Sequence, residues 1–169
     1  MLNLKNTLKN TIEFQRTNPH EEATYVINKE DSTITGLNVL AYINNKAENT
    51  IIIGAHYDHL GFGSEGSLFR GDQPEIHNGA DDNASGVAVM MNLASRLKYN
   101  NSNNNYLFIA FSGEEMGLLG SNYFVKNPTI DTKKVNYMIN MDMVGRLKDD
   151  KTLAVYGVGT SPKFKQTLF

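Results

Sequence analysis

Leu4, Leu8 and Ile12 recur every four residues with Leu2 and Phe14 beside them, and this spacing predicts a short amphipathic helix over residues 2–14. Asn18-Pro19 then breaks it. Residues 37–43 (LNVLAYI) and 51–55 (IIIGA) predict strands separated by a polar turn over residues 44–49. The second strand is apolar at successive positions, the pattern of a strand covered on both faces, and His56 stands at its carboxyl end. Residues 61–79 turn to Gly, Ser, charge and Pro74, which predicts a long surface loop of the kind that often carries function. Helical spacing returns over residues 84–97, with Val87, Met90 or Met91, Ala94 and Leu97 on one face, and ends in the Asn-rich turn of residues 100–105. Met90-Met91 suits the core of that helix, since Met fills gaps. Further along, residues 106–111 (YLFIAF), 137–141 and 153–158 predict strands, and residues 115–125 a helix. Lys148 to Lys151 reads as a solvated turn, and Ser161-Pro162 opens a last helix that the sequence ends within two turns. Strand and helix alternate, so the class is α/β, and the pattern reads as a domain cut off near Phe169.

At 169 residues and 40% hydrophobic content, the chain makes one domain, residues 1–169, with a sizeable core. The net charge of -2, from 16 basic and 18 acidic side chains without long blocks of either sign, leaves no footprint for nucleic acid or an anionic membrane. The absence of cysteine excludes disulfides and thiolate metal sites, so a metal would need imidazole and carboxylate. The first twenty residues lack the apolar stretch of a signal peptide, and no run approaches the roughly 18 apolar residues of a membrane span.

Sites in open α/β sheets assemble at the carboxyl ends of strands. Four segments of that kind carry metal-competent residues: His56-Tyr57-Asp58-His59, Gly79-Ala80-Asp81-Asp82-Asn83, Ser112-Gly113-Glu114-Glu115 and Asn140-Met141-Asp142. Imidazole and carboxylate together suit a catalytic zinc, which keeps a position open for water and lowers that water's pKa to about 7. Two adjacent glutamates at a helix start point in different directions, so one can meet a metal while the other serves as general base.

The stretches GAHYDHLG, NGADDNASG, FSGEEMGLLGS and NMDMVGR, in this order over roughly residues 51–146, resemble the di-zinc aminopeptidases, relatives of aminopeptidase Y and of the glutamate carboxypeptidase and transferrin receptor ectodomains. The resemblance implies a zinc-dependent exopeptidase fold, three αβα layers around a mixed, mostly parallel sheet, incomplete at the C-terminus. It implies that His56 and Asp142 bind one zinc, Asp81 bridges to a second, Glu115 binds that second ion and Glu114 is the general base. Asp58 is expected to orient the His56 imidazole through a hydrogen bond, and Asp82 to follow Asp81 across a cis peptide. The last ligand of the family is a histidine well beyond Asp142, and no histidine follows His77 here, so two zinc ions belong to the complete domain and one tight site to this chain.

Other patterns fail on context. Gly61 to Gly66 matches a dinucleotide fingerprint, but the following SLFRGDQPE cannot open the helix it requires. Asp81, Asn83 and Ser85 mimic an EF-hand loop whose twelfth position would be Asn92. Neighbouring Glu114 and Glu115 do not flank a glycosidic bond as paired carboxylates must. His59 and His77 read as surface or pocket-lining residues instead of ligands, and His20 carries no functional signal. The expected activity is hydrolysis of N-terminal peptide bonds by metal-activated water, with peptides as partners. The resemblance suggests a secreted or periplasmic setting. A silent interaction domain of this fold, or a glutaminyl cyclase-like enzyme, stands as the alternative.

Overall fold

The computed structural model describes residues 2–8, 22–25, 34–63, 66–73, 75–100 and 102–168. Its centre is one six-stranded sheet made of β1 (Leu2–Leu8), β2 (Glu22–Tyr25), β3 (Ile34–Ile43), β4 (Asn49–His56), β5 (Asn104–Phe111) and β6 (Val135–Asn140), in the order β2-β1-β3-β5-β4-β6. β1 with β3, β4 with β5 and β4 with β6 run parallel, whereas β1 with β2 and β3 with β5 run antiparallel. Among the described residues three α-helices accompany the sheet: α1 (Gly86–Leu97), α2 (Leu119–Lys126) and α3 (Pro162–Leu168). No described helix is long and apolar enough to cross a membrane.

β4 shows how the sequence builds three layers. Side chains of a strand alternate between faces, and here both faces are covered. Ile51, Ile53 and Ala55 pack with Phe108 and with Met90, Val87, Ala94 and Leu97 of α1. Ile52 packs on the opposite side with Leu107, Ile109, Phe111 and Phe124 of α2. Burying each of these large side chains contributes on the order of 1.5–3 kcal/mol. On this second face Gly54 leaves room for the neighbours: a Cβ there would stand 2.7 Å from Met138 Cε and 2.8 Å from Phe111 Cε2.

Two expectations from the periodicity fail. Residues 2–8 form a strand and not the start of a helix, because a spacing of four is even and fits the period of two as well as the helical turn. The backbone of β1 is paired over its full length with β3, from Leu2 opposite Ile34 to Leu8 opposite Leu40. Ile12, Phe14, the break at Asn18-Pro19 and His20 lie outside the described residues. Residues 153–158 form no strand, since no described strand pairs with the outer side of β6, and Leu153, Val155 and Tyr156 stay exposed. The helix expected over residues 115–125 starts later, at Leu119, after a turn in which the N–H groups of Gly117 and Leu118 both donate to the Glu114 carbonyl.

Asn38, fully buried on β3, holds that turn against the sheet. Its Nδ2 donates to the Gly120 carbonyl at 2.8 Å, and its Oδ1 accepts from the Ser112 N–H at 3.1 Å. Asn38→Ala leaves the Ser112 N–H without its acceptor and removes one of the bonds to the Gly120 carbonyl, a loss of about 1–3 kcal/mol. A urea unfolding midpoint that does not move would refute that role.

Candidate metal centre

The parallel strands β5, β4 and β6 end at one level of the sheet. His56 lies opposite Phe111, the Tyr57 N–H donates to the Phe111 carbonyl at 3.0 Å, and the Met141 N–H donates to the Gly54 carbonyl at 2.9 Å. Three chain segments therefore leave the sheet side by side and deliver His56, the Glu114-Glu115 pair and Asp142 to one place. The fourth contribution comes from a kinked turn, Ala80–Ser85, that precedes α1.

His56 is 3% exposed. Its Nδ1 lies 3.1 Å from the Asp58 carbonyl oxygen, so Nδ1 carries the proton and donates, and Nε2 keeps its lone pair. That Nε2 is buried and has no hydrogen-bond partner among the described residues, while Asp82 Oδ1 stands 3.1 Å and Asp142 Oδ1 3.5 Å away. An imidazole nitrogen facing two carboxylates is an arrangement that a cation completes, a proton when no metal is bound. His56, Asp82 and Asp142 form one group able to hold a metal ion, and His59, Asp82 and Glu115 form a second.

Asp82, and not Asp81, is the aspartate that stands between the two groups. The kink at Asp82 and Asn83 turns the Asp82 carboxylate toward the imidazoles, and the Asp81 carboxylate instead accepts the Gly145 N–H at 2.8 Å. The cis peptide lies one residue later than expected, between Asp82 and Asn83. Asp58 hydrogen-bonds the His56 imidazole as expected, through its carbonyl oxygen, and its carboxylate accepts from the N–H groups of Glu114 and Glu115 at 3.0 and 3.2 Å. Backbone donors at the head of a turn need acceptors, and Asp58 supplies both oxygens. His59, read from the sequence as a pocket residue, places Nδ1 2.7 Å from Glu115 Oε1 and 3.9 Å from Asp82 Oδ1. The hint was there in HYDH, where two imidazoles flank Asp58 at the end of a buried strand.

Asn83, 2% exposed, was named in the sequence only within its turn and as part of an EF-hand mimic, and it connects the two sides of the centre. Its Nδ2 donates to the Met141 carbonyl at 2.9 Å, and its Oδ1 accepts from the N–H groups of Gly86 at 3.1 Å and Met143 at 3.3 Å. The residue next to Asp82 thus brackets Asp142 from before and after.

A cavity of about 190 Å³ opens beside the centre, lined by His56, Glu114, Asp142, Phe111, Leu118 and Met138 among others. A larger one, about 290 Å³, sits among Tyr42, Thr50, Asn105 and Ile130, at the strand ends remote from His56 and from either group of ligands. The smaller cavity is the one that adjoins the candidate ligands. Burial raises the Glu114 pKa; His56 pulls it down, and the charges of Glu115, Asp142 and Asp58 push it further up. For His56, burial alone lowers the pKa, but Asp142, Glu114 and the hydrogen bond to Asp58 outweigh it, and the net shift is upward.

A profile of peptidase family M28 matches residues 38–168. A probable leucine aminopeptidase of Trichophyton verrucosum is 36% identical over 117 residues, which cover 66% of this chain and 29% of that relative. Among solved structures, a zinc aminopeptidase from Bacillus subtilis aligns with a TM-score of 0.50 at 32% identity, over 64% of this chain and 24% of that one. Glutaminyl cyclase from Porphyromonas gingivalis aligns with a TM-score of 0.54 at 26% identity, over 64% and 40% respectively. The chain thus spans less than a third of the length of the leucine aminopeptidase that it matches.

Two outcomes follow from this geometry. Raised pKa values mean that the folded state binds more protons than the unfolded one, so stability falls as pH rises. The Glu114 share is full below its ordinary value of 4.5 and the His56 share below 6.5, and each is lost as pH climbs through the raised value. The Tm of the metal-free chain should therefore decline as pH rises above 6.5, and a Tm that climbs there would contradict the charge crowding. Asn83→Ala should weaken zinc binding by about 10–100-fold with the circular dichroism spectrum kept, and unchanged affinity in calorimetric titration would show that Asn83 does not position the ligands.

Proposed function

The chain belongs to peptidase family M28, and we propose that it carries the metal centre of a zinc aminopeptidase that hydrolyses the N-terminal bond of peptides. The observation that carries this reading is the buried His56 Nε2, unpartnered and aimed at Asp82 and Asp142. One imidazole and two carboxylates are a ligand set that zinc takes while keeping a position open. His56, Asp82 and Asp142 would hold the ion, and when bound it supplies Lewis acidity toward a carbonyl oxygen and a more acidic water.

The chain's own residues divide the remaining work. Glu114 lines the same cavity as His56 and Asp142, and its carboxylate takes no hydrogen bond from the described residues. A carboxyl group with a raised pKa is a better proton acceptor than an ordinary one, so Glu114 takes the proton of the attacking water and hands it to the departing amine. Asp58 fixes where that carboxylate can reach, because it grips the backbone N–H groups of Glu114 and Glu115 with both oxygens. Phe111, Leu118 and Met138 give the cavity apolar walls that limit water around the reacting bond.

Ring closure of an N-terminal glutamine is the second reading, favoured by the alignment with a glutaminyl cyclase. Release of a free amino acid separates hydrolysis from pyroglutamate formation. With a protein of the relatives' full length that contains this segment, Glu114→Ala should lower kcat by on the order of 10² or more while the zinc content stays the same. Equal kcat in the two proteins would remove Glu114 from the chemistry, and loss of zinc would make it a ligand.

A further inference from the structure

We infer that Ser67 and His77 form a second reactive site, a nucleophilic hydroxyl with its own general base, which accepts acyl groups from carboxylic esters without help from a metal. Ser67 Oγ lies 2.6 Å from His77 Nε2. The other ring nitrogen, Nδ1, faces two backbone carbonyls, Glu75 at 3.1 Å and Gly61 at 3.3 Å, so Nδ1 carries the proton and donates. Nε2 is then the acceptor, and the Ser67 O–H points at it. A hydroxyl within reach of a base that a third group orients is the arrangement that activates serine as a nucleophile. Neither residue belongs to the groups able to hold a metal ion, and both are half-buried in the loop that follows β4.

The loop is folded around this pair. The His77 N–H donates to the Gly61 carbonyl at 2.7 Å, and the Phe69 ring meets the imidazole edge-on with centroids 6.4 Å apart. Gly63 has φ +68, and a Cβ there would collide with the His77 ring and stand 2.8 Å from Ser67 Cβ. The Phe69 N–H donates to Ser67 Oγ at 3.0 Å, which leaves the hydroxyl proton for His77. Arg70 adds a charge: its Nη1 donates to the Ser67 and Phe69 carbonyls at 3.3 and 3.2 Å, and its other N–H groups have no partner among the described residues. A guanidinium held there can meet the oxyanion of a tetrahedral intermediate. Phe62, Leu68, Phe69 and Ile76 are exposed in the same loop, so the acyl chain that suits it is apolar.

In the reaction Ser67 Oγ attacks the ester carbonyl carbon while its proton passes to His77 Nε2. The C–O bond to the alcohol then breaks, and the alcohol leaves with that proton. Water attacks the acyl-serine, gives a proton to Nε2, and frees the carboxylic acid as Ser67 Oγ takes the proton back. The probes are p-nitrophenyl butyrate for turnover and an alkyl fluorophosphonate, which Oγ attacks at phosphorus with loss of fluoride. In excess chelator the 169-residue protein should gain one phosphonyl group, on the peptide that contains Ser67, and should release p-nitrophenolate. Ser67→Ala should lose both, and His77→Gln should be labelled on the order of 10²-fold more slowly with its circular dichroism spectrum kept. A pair that only braces the loop gives the serine no special reactivity. No label, a label on another residue, ester hydrolysis that survives Ser67→Ala, or an equal rate in His77→Gln would each overturn the inference. A reaction that stops in chelator would overturn it too and assign the chemistry to the metal centre. Should the variants fail to fold, the labelled peptide of the parent decides alone.

Discussion

An imidazole nitrogen buried against two carboxylates is the constraint around which the other features of this protein arrange themselves. A group of this kind relaxes toward water unless the backbone prevents it. Here His56 cannot leave, because it ends a strand buried at every position after the first and its Nδ1 is engaged by the Asp58 carbonyl. Asp142 is bracketed by Asn83, and Asp82 lies in a kink directly before a helix that packs on the sheet. The upward pKa shifts of His56 and Glu114 measure the same crowding.

How far the sequence was readable depends on which physical signal each residue leaves. The strands at residues 51–55, 106–111 and 137–141 were legible because burial on both faces demands continuous apolar runs, and polar residues directly after such runs stand out. His56, Glu114, Glu115 and Asp142 were found in that way, and the structure brings them together around one level of the sheet. Asp81 and Asp82 could not be told apart, since both are acidic, adjacent and in a turn without periodicity. Only the backbone angles of the kink decide that Asp82 faces the imidazoles while Asp81 accepts from Gly145.

The misreadings at the two ends of the chain have a common cause. Period-four spacing in residues 2–8 serves helix and strand alike, and the choice falls to long-range pairing with β3, which no local window contains. For residues 153–158 the converse holds: strand-like composition finds no partner, and the segment stays irregular. Asn38 and Asn83 belong to the same class of hidden information. Both are fully or nearly fully buried amides whose worth lies in backbone groups far off in sequence, Gly120 and Ser112 for one, Met141 and Met143 for the other.

The ligands also stand on elements of unequal security, and this links metal binding to stability. β4 is flanked on both sides and its inner residues are buried, whereas β6 is an edge strand among the described residues, with Met138 and Ile139 43% and 45% exposed. An ion held by His56 and Asp142 would tie that edge to the centre of the sheet. Ligands that bind only the folded state stabilise it in proportion to their affinity. Among the described elements, β6 and the segment that follows it would gain most from such an ion, because they have least packing of their own. On this account the hydrogen bonds of Asn83 do part of the metal's work beforehand: they hold the segment carrying Asp142 close enough that binding need not first organise it.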